Sequence, residues 1–80
     1  MRLPRDINAQ QLVTALGKLG YQVTRITGSH IRLTKIGTGG EYHITIPNHN
    51  PLRVGTLNAI LKEIAVQENM SKNKLLTKLF

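Results

Sequence analysis

Apolar residues recur at helical spacing three times along this chain, and at strand spacing in the stretch between the first two. From Asn8 to Leu19, Leu12, Leu16 and Leu19 stand three or four positions apart with Val13 and Ala15 beside them, which predicts an amphipathic helix. Asn8 is a capping residue and Gln11, three positions on, can reach back to it, while Ile7 and Leu12 can close a hydrophobic staple. Gly20 ends the helix. Gly17 inside it costs about 1 kcal/mol relative to alanine, so close packing is expected there. From Tyr21 the residues change to β-formers in three runs, Tyr21 to Thr27, His30 to Lys35 and Glu41 to Ile46. Gly28-Ser29 and Gly37-Thr38-Gly39-Gly40 separate them, the pattern of an antiparallel meander. Ile31 and Leu33 alternate with His30, Arg32 and Thr34, and Tyr42, Ile44 and Ile46 with Glu41, His43 and Thr45, so one face is apolar and the other polar and basic. Val23 and Ile26 have opposite parity, which predicts a bulge or an edge strand in the first run.

After the Pro47–Pro51 loop, Leu57, Ile60, Leu61, Ile64 and Ala65 form a full helical stripe beginning near Thr56. Ser71 can cap a last helix that carries Leu75, Leu76, Leu79 and Phe80 on one side, with Met70 and Leu75 as its staple. The order α-β-β-β-α-α has one place to bury its helical stripes, the apolar face of the sheet. The expected architecture is therefore a two-layer α+β domain with helices on one face and the polar face open.

Eighty residues allow one domain, taken as 1–80, and a thin core, since a chain of this size hides only about 60–65% of its unfolded surface. The balance of 11 Lys and Arg against 4 Asp and Glu gives a formal charge of +7, and the pI is near 10.4. A polyanionic partner follows, nucleic acid first and an acidic protein second. The absence of cysteine removes disulfides, thiol nucleophiles and thiolate zinc sites. No apolar run approaches the roughly 20 residues of a membrane span, and Met1 to Asp6 lacks a signal-peptide stretch. The expectation is a soluble, cytoplasmic protein with no membrane partner.

Candidate chemistry is sparse. Asp6, Glu41, Glu63 and Glu68 are scattered, and His30, His43 and His49 form no H-x-H or H-E-x-x-H pattern, so no metal site or other cofactor is expected. No phosphate-binding G-x-x-x-x-G-K-[ST] loop exists. What remains is imidazole on a basic surface. RNA carries its own nucleophile in the 2′-OH, so a protein acting on it needs only a base, an acid and cations for the developing phosphorane charge. His30 follows the Gly28-Ser29 turn and shares the open face with Arg32, with Arg25 across the turn. From the residues alone it is either an idle strand-end histidine or a proton-transfer group. Arg25, Ser29, Arg32, Lys35 and His43 are the expected RNA-binding set, with Lys18 near the same sheet edge. His49 reads as a turn residue, and Lys72 and Lys74 stand where the helix dipole disfavours cations. Tyr21, Tyr42 and Phe80 are too few for a base-stacking platform.

Several stretches resemble the HicA toxins of bacterial and archaeal toxin–antitoxin systems: Leu3-Pro4-Arg5-Asp6, Gly20-Tyr21, Gly28-Ser29-His30-Ile31-Arg32-Leu33, Thr45-Ile46-Pro47-Asn48-His49, and Gly55-Thr56-Leu57-Asn58-Ala59-Ile60-Leu61-Lys62. Together they cover most of residues 3 to 66. The resemblance implies a double-stranded-RNA-binding-domain-like (dsRBD-like) fold. It also implies a metal-independent mRNA interferase, a ribonuclease that cleaves mRNA and is inhibited by a HicB-type antitoxin, with the histidine of the G-S-H motif, His30 here, as its catalytic residue. The last helix is less alike.

The alternative is a non-catalytic double-stranded RNA-binding module of the same fold. Such a module carries its binding lysines at the start of the last core helix, whereas Arg53 to Asn58 holds one basic residue. A folded relative without activity is a third possibility. The second proton-transfer group stays open among His43, Ser29, a tyrosine and water. Chemistry limited by an imidazole implies a rate that changes between about pH 5 and 8.

Overall fold

Asn8 starts the first helix as its sequence implies. Its Oδ1 accepts the Gln11 N–H at 2.8 Å while Gln11 Oε1 accepts the Asn8 N–H at 2.9 Å, so two otherwise unpaired helix donors are satisfied reciprocally. The computed structural model describes residues 6–80, and the Leu3-Pro4-Arg5 part of the resemblance lies outside them. The elements follow the order α1 (Ala9–Gly17), β1 (Gln22–Ile26), β2 (His30–Gly37), β3 (Gly40–Pro47), α2 (Val54–Gln67) and α3 (Lys72–Leu79).

Regular α1 ends at Gly17, two residues before the expected Leu19. The chain closes over it through Gly20 N–H to Gly17 C=O and Tyr21 N–H to Leu16 C=O, with Gly20 at φ 96°. That paired closure needs the left-handed conformation in which glycine is unstrained. Gly17 does not pack closely as expected: a Cβ there would meet nothing within 4 Å, and nothing in the structure explains the glycine.

The three strands form one antiparallel sheet in the order β1-β2-β3. β2 and β3 pair from His30↔Pro47 to Gly37↔Gly40, so the loop expected over Gly37–Gly40 shrinks to Thr38-Gly39 and both strands are longer than their apolar runs. Gly37 allows this, because a Cβ there would sit 2.6 Å from the Tyr42 ring. β1 is an edge strand with all five residues exposed, and its register breaks between Val23 and Arg25, the expected irregularity.

One core joins the layers. Ile31, Leu33, Ile44 and Ile46 from the sheet cluster with Leu12 and Leu16 of α1, Leu57, Ile60, Leu61 and Ile64 of α2, and Leu75, Leu76 and Leu79 of α3. The result is the α+β, dsRBD-like arrangement of a three-stranded sheet and helices that the pattern predicts. α2 starts at Val54, before Thr56, with Arg53 as a cap that makes no side-chain bond. Ser71 caps α3 by accepting the Lys74 N–H at 3.2 Å, and Lys72 Nζ donates to Asn58 Oδ1 on α2. Phe80 does not complete the α3 stripe, for it is half exposed.

Tyr21 is the polar tie between the layers. Its ring is buried, and its hydroxyl donates to Gln67 Oε1 at 2.7 Å. Lys35 Nζ lies 5.7 Å from the ring centre and 2.6 Å from Glu68 Oε1. Burial, then the negative charge of Glu68, with smaller effects of Tyr42 and Glu63, pushes the Tyr21 phenol up from 10.0 to about 12. The folded state therefore keeps a proton that the unfolded chain releases first, so this contribution is intact below pH 10 and is lost as pH rises toward 12. Tyr21→Phe is expected to cost about 1 kcal/mol at neutral pH through the lost hydrogen bond. It should also flatten the alkaline loss of stability, as measured by urea unfolding at pH 7 and above pH 10.

Candidate nucleic-acid interface

Alternation along β2 sends Ile31 and Leu33 into the core and leaves His30 and Arg32 exposed on the other face. The turn before His30 is held tightly. Thr27 N–H donates to His30 C=O at 2.8 Å, and the Thr27 hydroxyl accepts the His30 N–H at 3.0 Å and donates to its C=O at 3.2 Å. Ser29 Oγ lies 2.9 Å from His30 Nδ1, so the turn residue also holds the imidazole. Among the described residues no bond engages the other ring nitrogen, Nε2.

Arg25 lies directly opposite Arg32 across the β1–β2 pair, and both are exposed. Among the described residues neither guanidinium pairs with a carboxylate. Like charges directly opposite each other on adjacent strands destabilise a sheet. An anion lying over the pair would offset that repulsion.

The other predicted residues separate. His43 shares the open face with His30, as the register requires. It stands opposite Thr34, however, four residues along β2 and about 13 Å away at 3.3 Å per residue. Both of its ring nitrogens are engaged, Nδ1 with Thr34 Oγ1 at 2.9 Å and Nε2 with Glu41 Oε2 at 3.3 Å. Thr24 Oγ1 extends this chain at 3.0 Å from Thr34 Oγ1. The Glu41 carboxylate makes that end of the face unfavourable for phosphate. Lys35 does not join the basic field. It has the parity of Ile31 and Leu33, points toward the helices and gives its amine to Glu68. Lys18 is likewise committed, donating to Leu79 C=O at 3.0 Å.

His49 is a turn residue, as the sequence predicts, and the turn brings it to the His30 end of the sheet. Pro47 faces His30 in the register, Asn48 N–H donates to Ser29 C=O at 2.9 Å, and His49 is exposed just beyond. Counting pairs outward from the hairpin turn would have found it, since that register brings the residue two past Pro47 to this corner. Among the described residues, no group of three or more His, Asp or Glu side chains is placed to hold a metal ion.

The family model for the HicA toxin of bacterial toxin–antitoxin systems matches residues 9–66, well over half of the chain. The chain belongs to the HicA toxin family. Family membership makes it the toxin member of such a system and implies an antitoxin partner. The matched span takes in the whole sheet, the G-S-H turn and most of α2, and it stops before α3. Curated proteins and solved structures, compared in the same way, give no match. Among the described residues, no helix of this HicA-family chain is long and apolar enough to cross a membrane.

The opposed arginines give a stability test. Arg32→Thr removes one of two facing like charges and installs a good strand former. It is expected to raise unfolding stability by about 0.2–1 kcal/mol, more at low salt than at high, in urea titrations at two ionic strengths.

Proposed function

We propose that this HicA-family toxin is a ribonuclease that cleaves mRNA at the His30 end of the open sheet face, and that a HicB-type antitoxin inhibits it by covering that face. One observation carries the reading: an exposed imidazole, held at Nδ1 by Ser29 and open at Nε2, stands beside two arginines that face each other without an acid. In this reading His30 Nε2 takes the proton from a ribose 2′-OH as that oxygen attacks the adjacent phosphorus. Arg25 and Arg32 hold the backbone and stabilise the charge that builds on the phosphoryl oxygens. Ser29 positions the ring. The nucleophile comes from the substrate and the base from the protein, so the step runs without a metal ion, and mRNA as substrate makes the cytoplasm the place of action.

A double-stranded RNA binder would place its cations at the start of α2, where Arg53 is the one basic residue before Lys62. Two guanidiniums that pair with no carboxylate among the described residues, Arg25 and Arg32, stand instead on the open sheet face near His30.

Purified protein incubated with labelled mRNA in EDTA is expected to cut it, while His30→Ala, matched to the wild type in circular dichroism, is not. Cleavage by the folded His30→Ala protein would remove His30 from the reaction. Binding without cleavage by the wild type would favour the non-catalytic module. Arg32→Thr should weaken RNA binding and reduce the slope of log K against log salt by about 0.7–0.9, one phosphate contact.

A further inference from the structure

Breaking a phosphodiester at the 2′-OH needs two proton transfers, one from the nucleophile and one to the leaving oxygen. His30 supplies the first. The groups that sequence left open for the second are largely placed elsewhere by the fold. His43 lies about 13 Å along the sheet with both ring nitrogens engaged. Tyr21 is buried on the helix side, where Tyr42 also packs against the core. With Nε2 as the base, His30 Nδ1–H donates to Ser29 Oγ, which positions the ring, and the alkyl O–H of Ser29 is too weak an acid to serve as the proton donor.

His49 is different. Its main chain is fixed from both sides, with its N–H on Pro47 C=O at 2.9 Å and its C=O accepting the Ala9 N–H at 3.0 Å, and the preceding Asn48 is bonded to Ser29. Pro47 faces His30 across the β2–β3 pair, a Cα separation of about 4.5–5.5 Å. Two further residues, folded into a tight turn, put the His49 Cα within about 13 Å of the His30 Cα at full stretch and closer as bonded. A base and an acid each about 3 Å from opposite oxygens of one phosphorus need ring nitrogens on the order of 9 Å apart, which two side chains on these Cα positions can span. An exposed histidine whose main chain is fixed at the corner where the base stands is placed to give a proton to the leaving group.

We infer that His49 is a second catalytic residue, the general acid that protonates the leaving 5′-oxygen; the inference rests on the ribonuclease reading above. The 2′-oxygen bonds to phosphorus as the bond from phosphorus to O5′ breaks. The 2′ proton goes to His30 and the His49 imidazolium gives its proton to O5′. The products are a 2′,3′-cyclic phosphate and a 5′-hydroxyl, with the proton count unchanged.

The test compares an ordinary RNA with the same RNA carrying sulfur in place of the bridging 5′-oxygen at the cleaved linkage, because a thiolate leaves without a proton. His49→Ala and His49→Gln, each checked for folding by circular dichroism, are expected to cut the ordinary RNA about 100-fold or more slowly. On the sulfur-bridged RNA they should stay within about tenfold of wild type, whereas His30→Ala should be slow on both. Equal loss on the two substrates, or no loss on either, would overturn the assignment of His49. Failure of the wild type to cut either substrate would overturn the ribonuclease reading itself, and this inference with it.

Discussion

Packing of Ile31 and Leu33 on β2 beside Ile44 and Ile46 on β3 is the constraint on which the rest of the molecule depends. All four are buried, in register as Ile31↔Ile46 and Leu33↔Ile44, and the helices meet them on one side. Side chains on a strand alternate, so burying this set obliges His30 and Arg32 to face outward. A slip of one residue would turn every one of them over. The site is therefore a consequence of core burial. The same pairs set Pro47 opposite His30 and so bring the Asn48-His49 segment to that corner.

Each face of the sheet uses its charges differently. On the helix side, Lys35 is neutralised by Glu68 beside the Tyr21 ring, and the cation works as a tie between β2 and the end of α2. On the open side, Arg25 and Arg32 face each other with no acid among the described residues, and Glu41 holds His43 toward the opposite end. The basic field is thus short and graded, strongest beside His30. A family of toxins that must be held in check by a partner suits such a surface. A flat, cationic, solvent-exposed face can be covered by another protein as readily as it binds a polyanion.

Much of this was legible in the residues. The Asn8–Gln11 box, the Ser71 cap, the irregularity between Val23 and Arg25, and the outward parity of His30, Arg32 and His43 all follow from local rules that the fold obeys. The G-S-H and I-P-N-H stretches carried the family, which the match over residues 9–66 bears out. What escaped depended on tertiary partners. Lys35 has the odd parity of Ile31 and Leu33, but its role needed the position of Glu68, which sequence distance hides. The long hairpin extends through Gly37 and Gly40 because the Tyr42 ring occupies the space over Gly37, and an apolar pattern carries no record of that. The sequence marks His49 as a turn residue, and only the β2–β3 register shows that its loop lies against Ser29.

The central claim is that nucleic acid lies on the open sheet face at the His30 end. The most direct test is an NMR titration of the protein with a 2′-O-methyl RNA, which blocks the nucleophile and keeps the complex intact. The account predicts that amide shifts concentrate at Arg25 to Arg32 and at Asn48 to His49, and that they weaken as salt is raised. Shifts concentrated at the start of α2, from Arg53 to Asn58, with Thr27 to Arg32 unmoved, would contradict it.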